Sequence, residues 1–292
     1  MAGETTNGDS RRRTSGYGHG SVDTVLSVDE VAREAQRLAE EGPSKEKLLG
    51  LCSGEPLVRI EGLNAGYGKM EILHDLDLAV GRSQSLCLIG PNGAGKSTVL
   101  HSVFGFTNIF QGKITVDGEE VTGLSPKDKL KRAGIAYILQ DKSVFPDLTV
   151  EENLLMGGYL LDSPKDAKQA ADRVFEKYSR LADRKNQRAG VLSGGERRLL
   201  EISRALVMDP KVLLVDEPSI GLEPRFIDMV FDILEDLRSS EQKTILMVEQ
   251  NAKKGLEFAD IGYVLVSGQV AMAAPGRDLL DDPAVGRLFL GG

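Results

Sequence analysis

The segment Gly90-Pro91-Asn92-Gly93-Ala94-Gly95-Lys96-Ser97-Thr98 fits the pattern G-x-x-x-x-G-K-[ST] and constrains the chain more than any other feature. The apolar run Ser85-Leu86-Cys87-Leu88-Ile89 ahead of it reads as a buried strand, and Val99-Leu100-His101-Ser102-Val103-Phe104 behind it reads as a helix. Strand, glycine-rich loop and helix in that order are the context the pattern needs. The glycines let backbone N–H groups curl around a polyphosphate, and the helix N-terminus adds partial positive charge. Lys96 is expected to reach the terminal phosphates and Ser97 to place its hydroxyl on Mg2+. A glycine-rich surface turn ahead of a helix is the competing reading, and the full spacing weighs against it. The segment therefore predicts a nucleoside triphosphate site.

The 292 residues suffice for one large domain or two smaller ones. A net charge of -8 disfavours a broad nucleic-acid-binding face, although it leaves room for a local basic patch. Cys87 lies in the apolar run and reads as buried. Cys52 lies in a Gly/Ser-flanked stretch and reads as exposed. Neither belongs to a disulfide framework or a metal site, which fits a reducing cytoplasm. No apolar run approaches the roughly 18–20 residues of a membrane span. Arg11-Arg12-Arg13 is followed by Thr14-Ser15-Gly16-Tyr17-Gly18, without the apolar segment of a secretory signal. These features predict a chain that is soluble and cytoplasmic by itself.

Residues 1–55 read as an N-terminal extension, with 1–20 polar, Gly/Ser/Thr-rich and expected to be disordered. Ser27-Val28-Asp29-Glu30 resembles a capping box, and Val31, Ala35 and Leu38 fall at helical spacing. A helix over 27–41 is therefore expected, stopped by Gly42-Pro43. It reads either as a marginal helix on a flexible arm or as a partner-binding helix. The organised domain is expected over 56–292. Short strands are read at 57–60, 76–80 and 114–118, and buried strands at 135–139, 212–215, 244–248 and 263–266. Helical patterns cover 166–182, 195–208 and 225–238. Buried strands alternating with helices predict a parallel α/β core, the early strands an antiparallel β layer, and the helix-rich block at about 149–206 an inserted helical lobe.

Val212-Leu213-Leu214-Val215-Asp216-Glu217-Pro218 is an apolar strand ending in two carboxylates, delivered to the sheet edge where the phosphate loop opens. Asp216 is expected to hold Mg2+ and Glu217 to polarise the attacking water. Alone the pattern is weak, since many strands end in acids; behind a phosphate loop it is specific. Leu192-Ser193-Gly194-Gly195-Glu196 opens a helix and is, at minimum, a capping box with a tight turn.

That pentapeptide is also the signature of the ATP-binding-cassette family, and from Pro56 onward the chain resembles an ABC transporter nucleotide-binding subunit. The resemblance implies a P-loop NTPase core of the ABC type, α/β in class, with the β layer and helical lobe already inferred. It implies that Tyr67 stacks on adenine, and that Gln140 senses Mg2+ and the attacking water and starts the loop facing the membrane partner. Ser219-Ile220-Gly221-Leu222-Glu223-Pro224 would couple two active sites. In a head-to-tail dimer, Ser193, Gly194, Gly195 and Glu196 of one subunit would cover the ATP held by Lys96 of the other. The helix N-terminus suits that task, because its free amides favour a phosphate.

One position departs from the family in a way that touches the chemistry. Gln250, in Val248-Glu249-Gln250-Asn251, stands where the family usually has a switch histidine. Glutamine can hydrogen-bond a γ-phosphate but cannot exchange a proton near neutral pH, which leaves Glu217 as general base. Glu-Gln-Asn here is similar to the second-subunit (F-type) ATP-binding proteins of branched-chain amino-acid importers. So are Ala65-Gly66-Tyr67-Gly68, the run from Val144-Phe145-Pro146 to Glu151-Glu152-Asn153-Leu154, and Arg188-Ala189-Gly190. Arg197-Arg198, Leu139, Glu223 and Ile261 depart from that branch. The implied assembly has transmembrane permease subunits, a second ATPase subunit (more often a different one) and an external substrate-binding protein. It sits peripherally on the cytoplasmic face of the inner membrane, without nucleic acid. Val144-Phe145-Pro146 reads either as a contact for the permease or as a hinge packing its own Phe145. Related importers of other amino acids, amides or urea, a soluble ABC ATPase outside transport, and a cassette that binds ATP only structurally are the competing readings.

Overall fold

The computed structural model describes residues 37, 39, 42–140 and 143–289. The expected disorder of 1–20 lies outside the described residues. So does the helix over 27–41, apart from Arg37 and Ala39, both helical.

Two sheets and a helical lobe build the molecule. A six-stranded sheet contains β3 (Ser85–Ile89), β6 (Ile135–Ile138), β7 (Val212–Asp216), β8 (Thr244–Val248), β9 (Ile261–Val266) and β10 (Gln269–Pro275). Their order is β10-β9-β3-β8-β7-β6, all parallel except β10, which pairs antiparallel with β9. Every residue of β3, β7, β8 and β9 is buried. Helices on both faces of a parallel sheet require this, and continuous Val/Ile/Leu runs satisfy it. The second sheet, antiparallel in the order β2-β1-β4-β5, comprises β1 (Pro56–Tyr67), β2 (Met70–Gly81), β4 (Asn108–Val116) and β5 (Glu119–Glu120). Helix α2 (Lys96–Phe104) lies between the sheets. Val99, Leu100 and Val103 on it share a core with Leu63, Leu76, Leu86, Leu214 and Leu246.

The lobe is built from α4 (Val150–Gly157), α5 (Pro164–Lys177), α6 (Ser179–Ala182) and α7 (Gly194–Leu206). It has a separate core around Leu154, Ala171, Phe175, Leu181 and Leu200. The single helix read over 166–182 is broken at Tyr178 (φ -118°, ψ 83°), whose side chain packs against that core. Asn153, fully buried, organises the entry to the lobe. Its amide nitrogen donates to the carbonyls of Phe145 (2.9 Å) and Thr149 (2.9 Å), and its oxygen accepts from the Phe145 N–H (2.8 Å). Further helices among the described residues are α1 (Lys45–Gly50), α3 (Pro126–Lys131), α8 (Pro224–Ser239), α9 (Ala252–Phe258), α10 (Gly276–Asp281) and α11 (Pro283–Phe289).

Helix α1 belongs to the stretch read as extension, and it packs on β2. Ser44 caps it, Lys45 pairs with Asp77 (3.2 Å), and Leu48 is buried in the core between the sheets. Gln84 secures the chain that follows, accepting from the Ser53 N–H (2.9 Å) and donating to the Leu51 carbonyl (3.3 Å). Cys52, read as exposed, is half-buried there; Cys87 is buried.

Lys129 on α3 is completely buried, its ammonium donating to the Ser102 carbonyl (3.2 Å) near the end of α2. Burial pulls its pKa down to about 8. A folded-state value below the unfolded one means that the charged form costs stability below about pH 8. That cost is relieved as pH rises toward the unfolded value near 10.5. Lys129→Met is therefore expected to stabilise the fold at pH 7 by about 1–2 kcal/mol, a few degrees in Tm. The gain should shrink above pH 8 in thermal melts, and an undiminished gain at about pH 10 would rule out charge burial as its origin.

Candidate nucleotide-binding site

Parallel register brings the predicted groups to one edge. Leu88 on β3 and Asp216 on β7 both pair with Val248 on β8, and Ile138 on β6 pairs with Val215. The phosphate loop, Asp216-Glu217, Glu249-Gln250 and Gln140 therefore all leave the carboxyl ends of adjacent strands, where open α/β sheets bind ligands.

The loop Gly90–Thr98 passes tightly against the sheet. Gly90 sits at φ 143°, and a Cβ on it would lie 2.1 Å from the Leu265 carbonyl oxygen, so no other residue fits. Pro91, Asn92 and Gly93 are exposed at the rim, Ala94 donates its N–H to the Pro91 carbonyl (3.2 Å), and Gly95 caps α2. Thr98 is buried on the first turn. The Lys96 ammonium folds back on the loop, donating to the carbonyls of Gly90 (2.8 Å) and Pro91 (2.9 Å). Burial lowers its pKa, while Glu217 and Asp216 oppose the shift. Ser97 donates to Asp216 Oδ1 (3.1 Å), and the Tyr137 hydroxyl donates to Oδ2 (2.7 Å). A hydroxyl and a carboxylate so placed form an all-oxygen donor set that suits a hard divalent cation.

Gln140 Nε2 donates to Glu217 Oε2 (2.9 Å), which joins the two residues expected to handle water. Burial, and then the neighbouring charge of Asp216, raise the Glu217 pKa above the ordinary carboxylate value; Lys96 acts in the opposite sense. Gln250 is exposed just beyond β8. Tyr67 is 41% exposed at the end of β1. Its hydroxyl pairs with His101 Nδ1, and His101 meets the edges of Phe106 and Tyr137. An aromatic row thus runs from Tyr67 to the tyrosine that holds Asp216.

The signature lies apart from these groups. Ser193 caps α7, accepting from the Glu196 N–H (3.3 Å), while Glu196 Oε2 accepts from the Ser193 N–H (3.0 Å). The Ser193 N–H first, and then the Ser193 hydroxyl, which also donates to Oε2 (2.9 Å), hold the Glu196 carboxyl below its usual pKa. Ser193 and Gly194 are exposed, whereas Gly195 is buried under Phe226, whose ring would stand 2.3 Å from a Cβ. A cavity of about 330 Å³ opens beside them, lined by Arg180, Arg184, Ser193, Gly195, Glu196 and Phe226 among others, and by no residue of the phosphate loop.

Residues 73–220 match the ABC transporter family. The chain belongs to that family. Its relatives include the high-affinity branched-chain amino acid transport ATP-binding protein BraG of Pseudomonas aeruginosa. That protein is 44% identical over 236 residues, 81% of this chain and 100% of the relative. Another is the probable branched-chain amino acid transport ATP-binding protein LivF of Archaeoglobus fulgidus, 40% identical over 80% of this chain and 99% of the relative. An ATP-binding cassette of an ABC transporter, solved in its ADP conformation, superposes with a TM-score of 0.72. It is 27% identical and covers 82% of this chain and 100% of that one.

Within this ABC cassette, several site neighbours carry no local sequence signal. Tyr137 and His101 reach the site through tertiary packing alone. Arg198, visible in the sequence as a departure, is buried on α7; it donates to the Leu139 carbonyl (2.9 Å) and pairs with Glu201 (2.8 Å). It thereby ties the signature helix to the residue before Gln140. Among the described residues no helix is long and apolar enough to cross a membrane.

Proposed function

We propose that this ABC ATPase energises an importer of branched-chain amino acids. The observation that supports it best is the gathering of Lys96, Ser97, Asp216, Glu217 and Gln140 at one sheet edge, with Ser193 turned outward elsewhere. Such a chain holds a nucleotide on one face and offers its signature to another cassette. The relatives named for branched-chain amino acid transport, matched over essentially their whole lengths, supply the cargo.

On this reading the loop Gly90–Thr98 cradles the phosphates of ATP while Tyr67 stacks on adenine. Ser97 and Asp216, with Gln140 beside them, hold Mg2+, which when bound screens charge on the phosphates. Lys96 leaves the Gly90 and Pro91 carbonyls for the terminal phosphate. Ser193, Gly194, Gly195 and Glu196 of a second cassette close over it. Glu217, steadied by Gln140, orients a water in line with the bond to the leaving oxygen and accepts its proton; Gln250 contributes a neutral hydrogen bond. The gain is mostly electrostatic preorganisation. Transmembrane permease subunits dock near Phe145, which is 44% exposed with the Arg204 guanidinium 5.3 Å from its ring centroid. The chain lies peripherally on the cytoplasmic face of the inner membrane, and an external binding protein delivers cargo.

The test is ATPase activity of the complex purified from its native membrane, with and without reconstituted leucine-loaded binding protein. Stimulation by the loaded protein, lost in Glu217→Gln, is expected. Hydrolysis without stimulation would move the cargo to another amino acid, an amide or urea, and purification without a permease would point to a soluble ATPase.

A further inference from the structure

The turn after β7 and the segment after β8 meet beside the nucleotide site, and Glu249 stands between them. Its side chain is 1% exposed, and neutral groups satisfy it. Oε1 accepts from the Ser219 hydroxyl (2.7 Å) and the Asn251 N–H (2.8 Å), while Oε2 accepts from the Ser219 N–H (3.3 Å). Behind it the chain is close-packed: a Cβ on Gly255 would lie 3.1 Å from Glu249 Cβ and 2.6 Å from Cys87 Sγ. Burying a carboxylate is costly unless converging donors replace water, as they do here.

The neighbouring backbone shows what those donors restrain. Glu217 has φ 44°, a left-handed conformation unfavourable for a long side chain. Such strain persists only where surrounding bonds over-determine it. One restraint is the Glu217 N–H, which donates to the Val248 carbonyl (2.9 Å). The other is the Ser219–Glu249 pair two residues on.

We propose that Glu249 is a positioning residue, a buried carboxylate clamp that fixes the Glu217 elbow and the 219–222 turn to the segment carrying Gln250. A displacement of either segment is thereby passed to the other. The catalytic purpose of the clamp rests on the roles given above to Glu217 and Gln250. Charge type matters, because three donors converge on the two oxygens. A glutamine would turn an NH2 toward donors and leave one bond unmade.

Glu249→Gln and Ser219→Ala, alone and together, test this in the full chain assembled with its partner subunits. Each single variant is expected to lower kcat roughly tenfold with KM for ATP changed less than about twofold. The double variant should be no worse than the poorer single one, since both break one clamp. In the full chain without nucleotide, hydrogen–deuterium exchange at residues 217–222 should quicken in both singles. Additive kcat losses, or a lowered Tm with unchanged kcat and exchange, would overturn the clamp. Exchange judges the clamp whatever Glu217 does, whereas hydrolysis in Glu217→Gln judges the catalytic reading by itself. Should Glu249→Gln fail to fold, Ser219→Ala alone decides the matter, because it removes one donor and leaves the buried carboxylate with two.

Discussion

Glu217→Gln is expected to retain ATP binding and lose at least about a hundredfold in steady-state hydrolysis, the low end of what a general base contributes. The replacement keeps the volume of the side chain and an oxygen that can accept from Gln140 Nε2, now 2.9 Å from the carboxylate. What it removes is the charge that orients water and takes its proton. Turnover should stall with nucleotide trapped in a dimer, visible as a nucleotide-dependent shift in gel filtration. The pH profile offers an independent check. Burial and Asp216 raise the Glu217 pKa in the nucleotide-free site, so the acid limb of kcat/KM in the wild-type chain should lie above the ordinary carboxylate value. Activity should fall as pH drops through that value, where the base becomes protonated. Unchanged hydrolysis in the variant would remove Glu217 from the chemistry.

Ser193→Arg should abolish hydrolysis, by at least about a hundredfold, and leave ATP binding to the isolated subunit intact. The asymmetry follows from position. Ser193 is exposed at the start of α7, next to a cavity that no phosphate-loop residue lines. Its hydrogen bonds run to Glu196 and not to the loop carrying Lys96, so on the proposed reading an arginine there would fill the place of a second cassette's γ-phosphate and leave the chain's own nucleotide in place. Loss of the cap should cost about 1 kcal/mol of helix stability. A fluorescent ATP analogue measures binding, and phosphate release from the assembled complex measures turnover. Surviving hydrolysis would discard the head-to-tail arrangement.

Legibility in the sequence followed the range of the interactions. The phosphate loop and the capping box at Ser193 are local patterns, readable from spacing. The buried strands showed as apolar runs because a parallel sheet covered on both faces demands them. Strand β10 gave no such signal: Gln269-Val270-Ala271-Met272-Ala273-Ala274-Pro275 has little intrinsic β preference, and it forms because β9 offers an edge to pair with. The first half of β2, with Glu71, His74 and Asp75, is too polar to read as a strand, although it pairs with β1 through Met70. Tyr137 and Asp216 lie 79 positions apart, and Ser219 and Glu249 lie 30 apart. Such meetings depend on the finished sheet and leave no trace in spacing. Gln250 could be placed from the sequence, but the buried carboxylate before it had no visible purpose until its donors were seen.

Helix α1 has a practical consequence for where the domain begins. The relatives cover about four fifths of the chain, and the first strand opens at Pro56, so sequence likeness invites trimming there. Leu48, however, is only 3% exposed and shares the main core, and the Lys45–Asp77 pair braces the helix across β2, the outer strand of its sheet. A chain cut at Pro56 would present a hollow lined by Leu78 and Ile60 beside an uncovered outer strand, an invitation to self-association. The folded unit begins ahead of β1, at Lys45 or earlier.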